Sequence, residues 1–259
     1  MHAQPASSKV YIGTAGWTIP RRTAQHFAEK GSALERYAGR FSAAEINSTF
    51  HRAHRPQTFA RWAATVQEDF RFAIKLPKTI THGRKLAGTA DLLKAFLEEN
   101  QNLEPKRGPF LLQLPPSLAY DSKIARTFFD LLRTCTSHSV VCEPRHPTWF
   151  EEEAEHTLKA YAIARVAADP ARVPAAGRPG GLGSLQYYRL HGAPRMYYSE
   201  YVPEFLSDLA EAITKSCAAE VWCIFDNTAS GAATANALEL QAMLQQRQRL
   251  RLKPETSLP

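Results

Sequence analysis

The chain has 259 residues, 44% of them hydrophobic, with 32 Lys and Arg against 25 Asp and Glu for a formal charge of +7. That length suits one α/β barrel, in which roughly 250 residues share a single core, and no composition break reads as a linker. No apolar run approaches the roughly 18 residues that would span a bilayer, and the first residues lack the apolar core of a secretory signal, so a membrane role is not expected.

Residues 1–8 and 251–259 are rich in Pro, Ser and small polar side chains, and are expected to fray around a barrel domain spanning 9–250. Within it, short apolar runs recur in chain order: VYIGTAGW (10–17), AAEINSTF (43–50), RFAIKLP (71–77), FLLQLP (110–115), SVVCEPRH (139–146), AIARVAAD (162–169), LQYYRLHG (185–192) and VWCIFDN (221–227). Their β-branched and aromatic content fits parallel strands buried on both faces. Amphipathic helical stretches separate them. SALERYAGRF opens on a capping box of Ser32 and Glu35, and TWFEEEAEHTLKAY on one of Thr148 and Glu151, with Glu crowding its first turn. Strand–helix alternation repeated about eight times predicts a single (β/α)8 TIM-type barrel. The sixth βα unit is irregular: PARVPAAGRPGGLGS holds too much Pro and Gly for a helix, and is expected as a loop in place of one or as a lid. It is not a P-loop, because no Gly-Lys-Ser/Thr follows. Four cysteines, none in a CxxC pair, read as reduced thiols of a cytoplasmic protein, with Cys142 and Cys223 as core fillers.

Chemistry in such barrels sits at the carboxyl ends of the strands. Those ends deliver Glu45 and Asn47, Lys75, Gln113, then Glu143, Arg145 and His146, then Asp169, Arg189 and His191, and Asp226 and Asn227. Side chains alternate along a strand, so Glu143 shares a face with Arg145 and Arg189 with His191. The expected result is a polar cup of carboxylates, cations and imidazole in the barrel mouth. Mutually satisfied buried ion pairs are the plain alternative, but burying charge at so many strand ends without a use is costly. The loops beyond the strands add Arg21, Arg22, Arg52, Arg55, Lys78, Arg84, Lys85, Arg172, Arg178 and Arg195, so the positive excess leans toward that face.

The motifs GTAGW, EINSTF, FAIKLPKTITH, LLQLPP, EPRHPTW, YYRLHG and FDNTASGAATANA, in this order over residues 10 to 245, resemble the YecE-like family, also called domain of unknown function 72. The resemblance implies a TIM-type barrel and leaves the activity open. Ile19, His51 and Thr148 depart from residues common in the family, while the polar strand ends match it.

The residues support an enzyme, a hydrolase or lyase in class, acting on a phosphorylated or nucleic-acid substrate. Glu45, Glu143, His191 and Asp226 are the candidate acid–base groups. Asn47, Lys75, Gln113, Arg145, His146, Arg189, Arg195, Tyr197 and Asn227 are the candidate binding groups. Arg189, Arg195 and the small residues Thr228, Ser230 and Gly231 are expected to frame an anion at the start of the last helix. A divalent metal held by some of Glu45, His82, Glu143, His146, His191 and Asp226 is a second reading, although no HxH or HExxH spacing supports it. A third is an anion-binding or nucleic-acid-binding protein without turnover, which leaves the carboxylates in the cup without a purpose.

Overall fold

The computed structural model describes residues 8–252. Ten strands form one sheet: β1 (Lys9–Ala15), β2 (Ala43–Ile46), β3 (Arg71–Lys75), β4 (Arg107–Gln113), β5 (Val140–Glu143), β6 (Ile163–Arg165), β7 (Ala167–Asp169), β8 (Gly180–Gly181), β9 (Leu185–Leu190) and β10 (Glu220–Phe225). Their order is β7-β9-β10-β1-β2-β3-β4-β5-β6-β8, and every pairing is parallel except β6 with β8. β6 and β7 are two halves of one run broken at Val166. The first half pairs with β5 and the second with β9, while Val166 N–H donates to Cys142 C=O. The unbroken chain thus carries the sheet from β5 round to β9, and the TIM-type barrel closes there.

Seven α-helices flank it: α1 (Ala33–Ala38), α2 (Pro56–Thr65), α3 (Ala90–Glu99), α4 (Ser122–Cys135), α5 (Glu152–Ala160), α6 (Pro203–Thr214) and α7 (Ala232–Leu252). The capping box at Ser32 and Glu35 forms, each satisfying the other's backbone N–H. The one expected at Thr148 does not. Pro147–Phe150 is a short 3-10 turn capped by His146, Thr148 Oγ1 accepts from Tyr120 N–H instead, and α5 starts only at Glu152. No α-helix lies between β7 and β9, as the Pro and Gly content anticipated. A 3-10 turn (Pro174–Gly177) and β8 fill the gap. The expected fraying tails fall outside the described residues, apart from Ser8 and the last residues of α7. Ser8 donates its hydroxyl to the carbonyls of Ser216 and Ala218.

Alternation along the strands makes two apolar layers. One lies between strands and helices; the other fills the barrel interior with Tyr11, Ala43, Ala73, Leu111, Val141, Ala164, Tyr187, Trp222 and Ile224 among others. Tyr11, Trp222 and Tyr187 stack, with centroids 4.4 and 6.0 Å apart, and floor the interior. The floor demands small neighbours: a Cβ on Gly108 would lie 2.4 Å from the Trp222 ring. Cys142 and Cys223 are buried among the core side chains, and all four cysteines are free thiols. No helix among the described residues is long and apolar enough to cross a membrane.

Candidate active site

Two residues beyond each of these apolar interior positions, the interior turns polar. Ala43 is followed by Glu45, Ala73 by Lys75, Leu111 by Gln113, Val141 by Glu143, Tyr187 by Arg189 and Ile224 by Asp226. The strand period of two therefore builds the cup directly on the apolar floor.

Arg189 is its hub. Its guanidinium is wholly buried and reaches three carboxylates from three strands. Nε and Nη2 clasp Glu45 at 3.0 and 2.7 Å, Nη1 donates to Glu143 at 2.5 Å, and Nη2 donates to Asp226 at 2.9 Å. Tyr187 Oη donates to Glu45 at 2.9 Å from the floor below. Glu143 also accepts from Gln113 Nε2 at 3.1 Å and Arg145 Nε at 2.9 Å. Burial alone would raise the pKa of Glu143, but Arg189, His191 and Arg145 hold it well below the usual carboxylate range. Asp226 is likewise raised by burial and lowered further by Arg189, His191 and Lys75, ending low. Such carboxylates are ionised and poor bases.

His191 sits between two of them, Nδ1 at 3.1 Å from Asp226 Oδ2 and Nε2 at 3.3 Å from Glu143 Oε1. Burial works against its protonation, but Glu143 and the hydrogen bond to Asp226 outweigh it, and the pKa is raised. Nε2 lies off the line of a hydrogen bond to Glu143 and is buried without a partner. Arg145 repeats this: Nη2 is 2.9 Å from Glu143 Oε1, yet its N–H groups find no aligned acceptor. Arg145, Arg172, His191, Glu143 and Met196 line a cavity of about 20 Å³, room for a single water. Arg172 and Ala176 come from the helix-less sixth unit and Met196 from the loop after β9, so that unit does cover the site.

The remaining candidates sort by geometry. Lys75 Nζ stands 4.2 Å from the centre of the Phe50 ring, and burial lowers its pKa to about 8, Arg189 adding to the effect. Asn47 reaches Asp226 at 3.5 Å. The Tyr197 ring meets His191 edge-on, centroids 5.7 Å apart. Three candidates are placed elsewhere. His146 caps its own turn through Thr148. Arg195 is exposed and stacks 3.9 Å from the Tyr198 ring centre. Asn227 is wholly buried and spends its amide on Ser199 C=O and Asn236 Oδ1, tying the loop after β9 to α7. The expected anion frame of Arg189, Arg195 and the α7 start is not assembled, because Arg189 is consumed by carboxylates and Arg195 stacks on Tyr198. In the sequence Arg172 is legible only as one of the surrounding basic residues, and its position in the irregular sixth unit is the available signal.

A metal fits this donor set poorly. The oxygens of Glu45, Glu143 and Asp226 already accept from Arg189, and His82 and His146 bond to Thr81 and Thr148. Among the described residues no group of three or more His, Cys, Asp and Glu is arranged to hold an ion.

The family described as Protein of unknown function DUF72 matches residues 11–258. UPF0759 protein YecE of Escherichia coli K12 is 34% identical over 152 residues, covering 58% of this chain and 53% of that relative, so the match spans about half of its length. Two solved structures share the fold. A DUF72 family protein from Enterococcus faecalis V583 superposes with a TM-score of 0.77 at 22% identity, covering 91% of this chain and 95% of that one. One from Thermotoga maritima MSB8 gives 0.76 at 23% identity, covering 92% and 99%.

Proposed function

The chain belongs to the DUF72 family, which carries no assigned activity, and from that premise we propose that it is an enzyme binding a small anion in the barrel mouth. Arg145 and Arg172 hold the anion and His191 acts as the general acid. The observation that carries this reading is the asymmetry of the cup. Every carboxylate accepts from Arg189 or its neighbours, and the unpartnered buried atoms of the residues lining the cavity, Arg145 Nη2 and His191 Nε2, are donors; the unpartnered acceptor of the cup, Asn47 Oδ1, belongs to a residue outside that lining. A site of unspent donors recognises negative charge, and it strengthens as water is excluded.

Glu143 and Asp226 then serve as fixed counter-charges that keep His191 protonated and aimed, in the way a buried acid orients an imidazole. With both carboxylates poor bases, proton donation to a leaving group or a developing oxyanion is the chemistry the cup supports best. With room for a single water the cavity argues against a nucleic acid, and a compact phosphorylated or carboxylated molecule enters only as the loops carrying Arg172 and Met196 give way. Calorimetric titration of inorganic phosphate tests the reading. Saturable binding is expected, weakened at least tenfold in Arg145→Met and weakened also as pH rises through the His191 pKa. Wild type that takes up no phosphate would overturn it. Turnover of phosphorylated small molecules, abolished in His191→Asn, separates an enzyme from a binder.

A further inference from the structure

Lys75 is the charged residue of the cup that the anion reading does not use. It is 7% exposed at the carboxyl end of β3. No ion pair or hydrogen bond involves its ammonium among the described residues; the nearest defined contact is the Phe50 ring face at 4.2 Å. Phe50 itself is held edge-on by His51 and His82, centroids 5.0 Å away in both cases, and His82 lies in a π-helical turn, Thr79–Gly83, that follows β3. A cation over an aromatic ring gains about 0.5–2 kcal/mol. That is less than the several kcal/mol that burying an unpaired ammonium costs. A methionine would pack there without the penalty. The neighbouring carboxylates Glu45, Glu143 and Asp226 relieve the penalty only in part, because burial and the Arg189 charge outweigh them.

We infer that Lys75 is a nucleophilic amine that condenses with the carbonyl of a small anionic aldehyde or ketone held by Arg145 and Arg172. This rests on the anion site proposed above and specifies its substrate class. In its neutral form the Nζ lone pair attacks the carbonyl carbon, the C=O electron pair moves to oxygen, and that oxygen takes a proton. The nitrogen of the carbinolamine then loses its hydrogens as the hydroxyl, protonated by an acid of the cup, leaves as water. One amine and one carbonyl give one imine and one water, with no further reactant. Burial from water holds the ordinary lysine pKa down to about 8, which supplies the neutral amine near physiological pH.

The test is reductive trapping at pH 7.5 with cyanoborohydride, using glyceraldehyde 3-phosphate and uncharged glyceraldehyde as probes, read by peptide mass spectrometry. Exposed Lys78, three residues on, is the internal reference. Lys75 is expected to be trapped at least tenfold faster than Lys78 by the phosphorylated probe, faster than by the neutral one, and protected by inorganic phosphate. Lys75→Arg, which keeps the charge but cannot form the adduct, should lose the fast labelling. Labelling of Lys75 no faster than Lys78 would overturn the inference, and saturable phosphate binding in the same sample would show that the anion reading survives it. Fast labelling that phosphate does not slow would overturn the link between amine and anion site.

Discussion

Arg189 carries the heaviest load of any single side chain. Removing it strands three carboxylates at the bottom of the mouth, and breaking even one partner of a buried pair typically costs about 3–5 kcal/mol. Arg189→Met is therefore expected to fail to fold at neutral pH. Glu143→Gln should fold but lose about 3 kcal/mol in denaturant titration, since Glu143 joins Arg189, Arg145, Gln113 and His191. Lys75 behaves oppositely. Its pKa falls from an ordinary 10.5 to about 8, so below pH 8 folded and unfolded chains both carry the proton and the burial penalty is complete. As pH rises from 8 toward 10.5 the folded state sheds the proton first and the penalty fades. Lys75→Met should thus stabilise the protein by about 1–3 kcal/mol at pH 7, after the lost ring contact is discounted, and by less at pH 10. Thermal melts of both proteins at the two pH values check this; an equal shift at both would show that the lysine is not buried as a charge.

The sixth βα unit is the element whose design most affects the site. Having no helix, it is pinned by an ion pair: Arg165 Nε donates to Glu155 Oε2 at 2.9 Å, and Arg165 Nη1 donates to the carbonyls of Ala175 and Arg178. Glu155 Oε1 also accepts from Gly181 N–H at 2.6 Å. Glu155 is raised by burial but held low overall by Gly181 and Arg165. Because Arg172 and Ala176 on this segment line the cavity, loosening the pin should expose the cup. Glu155→Gln is expected to speed hydrogen exchange at least tenfold over residues 170–183, with the barrel strands unchanged. Uniform exchange across the chain would contradict that local role. The strand ends were legible because parity along a strand is a local rule; Ala43 to Glu45 and Val141 to Glu143 need nothing beyond the residues themselves. Which arginine would sit among the carboxylates was not. Arg145 and Arg189 look alike at their strand ends, and Arg189 is central because its side chain on β9 reaches Asp226 beyond the neighbouring β10 and Glu45 and Glu143 of β2 and β5 across the barrel interior. Nor was the false capping box at Thr148, whose hydroxyl is claimed by Tyr120 from 28 residues earlier.

At the scale of the whole molecule, polarity is graded along the barrel axis. An aromatic floor of Tyr11, Tyr187 and Trp222 supports an ionic layer of Arg189 among three carboxylates, and Arg145, His191 and Lys75 lie beside it. Exposed basic residues ring that end, among them Arg52, Arg55, Lys78, Arg84, Lys85, Arg172 and Arg178. Arg22 and Glu200 pair at 2.6 Å between the loops after β1 and β9. Single loop cations act weakly through water, but a ring of one sign raises the rate at which an anion arrives, an effect that salt screens. The phosphate association rate should therefore fall with ionic strength more steeply than the dissociation rate rises, which stopped-flow measurement at two salt concentrations reads. The basic lean of this face was visible in the sequence, since all those residues follow strand ends. The closure of the cavity by Arg172 and Met196 was not, because it depends on how two long loops meet. The most direct measurement is the anomalous-scattering map of crystals soaked in selenate. The account predicts one ordered peak within hydrogen-bond reach of Arg145 and His191, with Arg172 closing over it. A peak only beside Arg195 and the start of α7, or none in the barrel mouth, would contradict it.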